Sequence, residues 1–223
     1  MGAKPMPWLA VWKSKWGILA ERKMKIASAI GTEFHRCVES YIETGSYAVF
    51  PPIIGGNYTH VLGSTMPRIR GMMQSFVAWA ANVDGIIHST ELKIISHKYR
   101  YSGTLDAVGK LGKKLVVIDW KTGSRIYEEM QLQLAAYAQA YNERLSNKEW
   151  VELYTDGSSV RYIKDGLIVH VSKDKPHFKL TTKEFKLGKR PFKQFLKLRE
   201  MFDAIKAKEN VDAEANKSEA SGC

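Results

Sequence analysis

Two acids and a lysine give this chain its chemistry: Asp106, closing Gly103-Thr-Leu-Asp106, and the pair Asp119 and Lys121 at the end of Val116-Val-Ile-Asp-Trp-Lys121. Both stretches read as strands, and strand side chains alternate faces, so Asp119 and Lys121 project together with Trp120 on the far side. Leu115 and Val117 share the Asp119 face. The run Leu-Val-Val-Ile before Asp119 is nearly continuous apolar, which predicts a strand covered on both faces. A carboxylate and an ammonium there are costly to desolvate unless partnered.

The register follows from the turn. Gly112-Lys113 suits a type II′ turn with glycine first, which centres a hairpin so that position 111 faces 114 and 108 faces 117. Asp106 then faces Asp119, with Cβ atoms about 5 Å apart. Two facing carboxylates repel; Lys121 supplies part of the opposing charge, and a divalent cation with hard oxygen ligands supplies it better. A register slip of one residue would part the pair. Short Asp-x-Lys strings are usually solvated surface, and the apolar flank and the facing acid set this one apart. Glu91, on an earlier strand, is a candidate supporting acid.

The elements that position these groups read as follows. Residues 13–30 form a basic helix with Trp16, Leu19, Ala20, Lys23 and Ala27 at helical spacing, broken by Gly31. Thr32 then caps a second helix to about Thr44, which Gly45 ends. A Gly-, Pro- and aromatic-rich loop spans 46–66. Pro67 opens a third helix to about Asn82. Strands follow at Gly85–Ile95, Lys98–Lys110 and Lys114–Trp120, then a helix over Tyr127–Leu145 with Glu128 and Glu129 in its first turn. Thr155-Asp-Gly-Ser turns a hairpin between Trp150–Tyr154 and Ser159–Ile163, and Gly166–Ser172 is a further strand. Thr181 or Thr182 caps a closing basic helix to about Ala207, interrupted near Gly188–Pro191. Residues 208–223 carry no aromatic and read as a disordered tail. The expectation is a single α/β or α+β domain over 1–207, a mixed sheet flanked by helices.

Composition sets the partner class. The 223 residues are 44% apolar and 26% charged, ordinary for a soluble domain. Net charge is +11, and Lys206–Cys223 holds three Lys against four acids, so the excess sits in the body. A body that basic favours a polyanion, nucleic acid ahead of a membrane surface. Two cysteines, Cys37 and Cys223, exclude a disulfide framework and fit a reducing compartment. No apolar run reaches the length of a membrane span, and Lys13, Lys15, Glu21, Arg22 and Lys23 interrupt any secretory leader. The expected setting is cytoplasmic or nucleoid-associated, bacterial or phage-encoded, with a mitochondrial origin also open.

Taken together, these motifs resemble the PD-(D/E)XK nuclease superfamily, and within it the RecB-like exonuclease branch. Gly31-Thr-Glu-Phe-His35, Gly103-Thr-Leu-Asp106, Asp119-Trp-Lys121 and Gln133-Leu-Ala-Ala-Tyr137 match four motifs of that branch in order. The stretch Val-Ile-Asp-Trp-Lys-Thr and the basic C-terminal helix look most like the mitochondrial genome maintenance exonuclease and its bacteriophage relatives. The resemblance implies a restriction-endonuclease-like core and a metal-dependent DNA exonuclease acting on single strands or ends. It implies His35, Asp106 and Asp119 as ligands of Mg²⁺ or Mn²⁺, and Lys121 as the group acting on the attacking water. Gln133 and Tyr137, four apart on one helix face, join them in the catalytic set, with Gln131 an alternative to Gln133. Branch members with an iron–sulfur cluster use four cysteines, so none is expected here.

Candidate DNA contacts are Lys15, Trp16, Arg22 and Lys23 near the start and Lys189, Arg190 and Lys193 near the end, with Lys183, Lys186, Lys197 and Arg199 beside them. Trp8, Trp12, Tyr47, Phe50 and Tyr58 could stack on bases. Partner proteins in replication or recombination are expected. The competing readings are a structure-specific endonuclease on the same core and a non-catalytic nucleic-acid-binding module.

Overall fold

The computed structural model describes residues 14, 17, 19–50, 65–146, 162–173 and 178–220, the side chains of 146 and 208–220 excepted. Its elements are α1 (Leu19–Thr44), α2 (Met66–Asn82), β1 (Gly85–Ser96), β2 (Tyr101–Leu111), β3 (Lys114–Lys121), α3 (Met130–Ser146), β4 (Asp165–Val171), β5 (Leu180–Lys186) and α4 (Lys189–Ala220). The five strands form one sheet in the order β1-β2-β3-β4-β5, antiparallel except for β3 against β4. Helix α3 makes the crossover between those two parallel strands, which hairpin turns cannot join. This is a mixed α/β sheet with helices on both faces, a restriction-endonuclease-like core.

Two apolar layers cover the sheet. Val116, Ile118 and Trp120 of β3 pack with Ile30, Phe34 and Val38 of α1 and Met72, Met73 and Phe76 of α2. Val117 and Ile168 face the other way, onto Leu134, Ala138 and Tyr141 of α3. The apolar run before Asp119 is thus covered on both faces, as its composition predicts.

The expected hairpin register holds: Leu111 pairs with Lys114, Val108 with Val117 and Ala107 with Ile118. Gly112 has φ of 54° while Lys113 is not in the positive region, the pattern of a type II′ turn. Pro67 stands in the first turn of α2.

Several boundaries differ. Gly31 does not break the helix, and Thr32 is not a cap; α1 runs through both. The glycine instead permits close approach, because a Cβ there would lie 3.1 Å from Thr122 Oγ1 beyond β3. Thr181 and Thr182 open no helix. They lie in β5, bonded to β4 along the whole strand, and α4 begins only after Gly188, with Pro191 in its first turn. Long-range pairing overrides the capping signal. The helix backbone then continues to Ala220, through the expected tail. Residues 98–100 form a turn, with Arg100 at φ 53°, so β2 starts at Tyr101. Glu128 and Glu129 precede α3, accepting backbone bonds from Gln131 and Leu132. The hairpin expected over 150–163 lies almost wholly outside the described residues, as do Trp8, Trp12, Lys15, Trp16, Tyr58 and the centre of the 46–66 loop.

Candidate active site

Trp120 fixes the acid and the lysine on either side of it. Its indole is buried edge-on to Phe76 at 5.3 Å and Trp79 at 6.2 Å between centroids. With that ring locked into the α1–α2 layer, the pleat sends Asp119 and Lys121 to the opposite face. Lys121 Nζ stands 2.6 Å from Asp119 Oδ2. That oxygen is buried, and the ammonium contact offsets part of its burial cost. One ammonium faces two buried acids, Asp119 and Asp106, and that excess of negative charge favours a further cation.

The β2–β3 ladder stops at Ala107 and Ile118, one pair short of Asp106 and Asp119. Asp106 Oδ2 accepts the Trp120 backbone N–H at 2.8 Å instead. The two carboxylates still interact. Burial pushes Asp119 up to about 6, and the Asp106 charge adds to the rise against the opposing pull of Lys121. Burial likewise raises Asp106 to about 6, against the Trp120 N–H and Lys121. Helix α1 brings His35, whose Nδ1 lies 3.6 Å from Asp106 Oδ2. Burial lowers its proton affinity, while the Asp119 charge opposes that shift. A neutral imidazole is the ligand-competent form.

Glu91 has a larger place than the sequence suggests. His35, Glu91 and Asp106 each offer one ligand atom, and these atoms lie within 4.8 Å of one another. The backbone explains how Glu91 arrives. Thr90 bonds Glu43 of α1, and its partner Ala107 packs in the α1–α2 layer. Two residues on, Leu92 and its partner Leu105 pack toward α3. Plain alternation would keep each of these residues on the face of the one two before it. Both strands therefore turn over at Glu91 and Asp106, where Glu91 has φ of 48°. A glutamate there costs about 1–2 kcal/mol, and the turnover re-aims both acids as a bulge does. Nothing in the sequence signals it, because glutamate is not a left-handed residue.

Tyr137 closes the α3 side. Gln133 Nε2 donates to its hydroxyl at 2.8 Å, and its ring lies so near Gly103 that a Cβ there would come within 2.9 Å. Burial raises the Tyr137 phenol, helped by the charges of Asp119, Asp106 and Glu91. Gln131 points elsewhere, bonding the Lys186 carbonyl. His170 is a further residue that sequence reasoning missed. It pairs with Lys121 across β3 and β4; its Nε2 donates to the Gly123 carbonyl at 2.8 Å, which leaves Nδ1 to accept from Thr181 Oγ1 at 3.3 Å. It holds the turn that follows Lys121.

A model of the PD-(D/E)XK nuclease superfamily matches residues 13–223. The chain belongs to the PD-(D/E)XK nuclease superfamily. The superfamily indicates a nuclease, and PD-(D/E)XK nucleases use divalent metals. The donor set of His35, Glu91 and Asp106 fits such a metal, with hard carboxylate oxygens and one imidazole nitrogen; Asp119, expected as a ligand, stands outside that group and contacts Lys121. No curated protein matches the chain. A solved structure described as "Crystal structure of SSO0001" aligns at TM-score 0.35 and 14% identity, over 78% of this chain and 72% of that one, too slight a likeness to bear on function.

The expected DNA contacts are dispersed. Arg22 and Lys23 are exposed on α1, and Lys189, Arg190 and Lys193 are exposed on α4. Lys183 and Lys186 sit on β5, not on the closing helix, and pair with Glu128 (2.6 Å) and Asp165. Arg199 bonds the Tyr99 carbonyl and lies near Asp203.

Proposed function

We propose that this PD-(D/E)XK nuclease is a DNA exonuclease of the RecB-like branch, acting on single strands or DNA ends with Mg²⁺ or Mn²⁺. The observation that carries the nuclease chemistry is the cluster of His35, Glu91 and Asp106, whose ligand atoms lie within 4.8 Å of one another. His35, Asp106 and Asp119 serve as ligands, and Glu91 completes or supports the set. A divalent cation held there would polarise a phosphate oxygen and acidify a bound water. The imidazole makes the site friendlier to Mn²⁺ than an all-oxygen site.

Lys121 acts from beside Asp119. Its ammonium orients the attacking water and balances charge as it builds on the phosphate. Gln133 and Tyr137 present a linked pair of polar groups from α3, suited to holding a phosphate oxygen in line. The exonuclease reading is supported by the order of the His35, Asp106, Asp119–Lys121 and Gln133–Tyr137 motifs. The stretch Val-Ile-Asp-Trp-Lys-Thr and the basic C-terminal helix support the likeness to the mitochondrial genome maintenance exonuclease and its phage relatives. A bacterial or phage-encoded protein working in replication, repair or recombination fits this reading.

The test is digestion of 5′- and 3′-labelled linear DNA, single- and double-stranded, in Mn²⁺, with a circular single strand beside it. The expected result is loss of the linear strands with the circle intact. Cleavage of the circle would move the assignment to an endonuclease, and full cleavage in EDTA would remove the metal mechanism.

A further inference from the structure

One flank of α1 carries a buried charge network whose visible product is an exposed aromatic ring. The Glu33 carboxylate is buried, yet it is held charged. Burial opposes that state, and donors outweigh it: Arg36 Nε at 2.8 Å, Arg36 Nη2 at 2.7 Å and the Phe50 backbone N–H at 2.7 Å. Arg36 also donates to the Ala48 carbonyl, and the Cys37 thiol lies 3.5 Å from that same oxygen. Along this extended segment Tyr47 and Val49 turn into the core, so Phe50 turns out, 55% exposed, with the Arg36 guanidinium 4.8 Å over its ring.

The position of this pair on the helix makes it useful. At 100° per residue, Arg22, Lys25 and Arg36 fall on one stripe of α1, about 21 Å from end to end. That stripe is roughly 100° around the helix from His35, so stripe and ligand flank the same solvent-facing edge. Lys25 is paired with Glu21 at 2.7 Å and Arg36 with Glu33. The grip therefore falls chiefly on the pre-oriented ring and guanidinium at the end of the stripe, which match how single strands are held, a base on an aromatic face beside a cation.

We propose that the α1 flank formed by Arg22, Lys25, Arg36 and Phe50 is a single-strand track, with Phe50 stacking one base of the strand whose phosphate lies at the His35 site. This rests on the nuclease reading and names how its substrate is held. Glu33 acts as the positioning residue, fixing both Arg36 and the Phe50 backbone.

The test is binding of oligonucleotides that carry 2-aminopurine at successive positions, in EDTA so that no strand is cut. The track predicts quenching at one position in the wild type, loss of that quenching in Phe50→Ala with about tenfold weaker binding, and restoration of both in Phe50→Trp. With a strand abasic at that position, wild type and Phe50→Ala should bind alike. Equal affinity and equal quenching in wild type and Phe50→Ala overturn the track, as does failure of Phe50→Trp to rescue. Cleavage by the wild type in Mn²⁺ is scored separately, so failure of the nuclease reading is seen apart from failure of the track.

Discussion

At the residue scale the site is a set of charges held under strain. Asp106 and Asp119 are each raised from an ordinary carboxylate to about 6, chiefly by burial. In the metal-free protein the folded state therefore binds more protons than the unfolded chain between about pH 4 and 6. Their cost is absent below that window and complete above it, so stability falls as pH rises through it. His35, lowered by burial, works in the opposite sense, losing stability as pH falls below its ordinary value, but it is one group against two. Thermal melts in EDTA should show melting temperature declining from pH 4 to 6.5, and a rise there would contradict the assignment. Added Mn²⁺ should raise the melting temperature more at pH 8 than at pH 5. Asp119→Asn removes the worst of the repulsion, and Lys121 can turn to solvent. That variant should lose cleavage altogether while melting about 3–8 °C higher than wild type in EDTA at pH 8. Equal or lower stability would show that Lys121 already neutralises the acid. The hairpin register that sets these acids near each other was legible in the sequence, because a two-residue turn and side-chain alternation are local rules.

At the element scale two glycines explain close approaches that motif spacing only marks. Gly103 lets the Tyr137 ring lie on β2, and Gly31 lets α1 meet the end of β3 at Thr122, one residue past Lys121. The α1 contact sets how far His35 stands from Asp119 and Lys121. Gly31→Ala gains about 1 kcal/mol of helix propensity but crowds Thr122 Oγ1. The expected outcome is little change in melting temperature and a several-fold higher Mn²⁺ concentration for half-maximal cleavage. Thr122→Ala in the same background should restore the midpoint, since it removes the crowded oxygen. An unchanged midpoint in Gly31→Ala would mean that α1 is positioned elsewhere. The continuity of α1 through Gly31 was not legible, because a glycine in a helical pattern signals a break unless its packing partner is known. That partner lies 91 residues away in the chain.

For the whole molecule, charge and fold act together. The net charge is +11, and Arg190, Lys193 and Lys197 fall on one exposed stripe of α4. If that stripe meets phosphates, binding of single-stranded DNA should weaken with salt at a slope of about 0.7 per phosphate contacted. The triple change of these residues to Ala should then flatten the slope by about 2 while leaving cleavage at saturating DNA unchanged. Titrations of oligonucleotide affinity against salt decide it, and an unaltered slope would leave α4 a solubilising surface. Lys183 and Lys186 are left out of this set because β5 places them beside Glu128 and Asp165.

The sequence by itself marked the acid and lysine of β3, their hairpin and the helices that carry His35, Gln133 and Tyr137, since each depends on periodicity or turn chemistry within a few residues. It also determined the family, through four short motifs in order. Only the tertiary structure decided that Thr181–Lys186 is an edge strand and not a helix start, because β4 supplies the pairing. Only it showed Glu91 turned into the ligand set, through a left-handed backbone that no local propensity favours and that the packing of Thr90 and Leu92 on opposite faces imposes. And only it buried Asp106 and Asp119 together beside a single ammonium, which raises both carboxylates and favours a cation beside them.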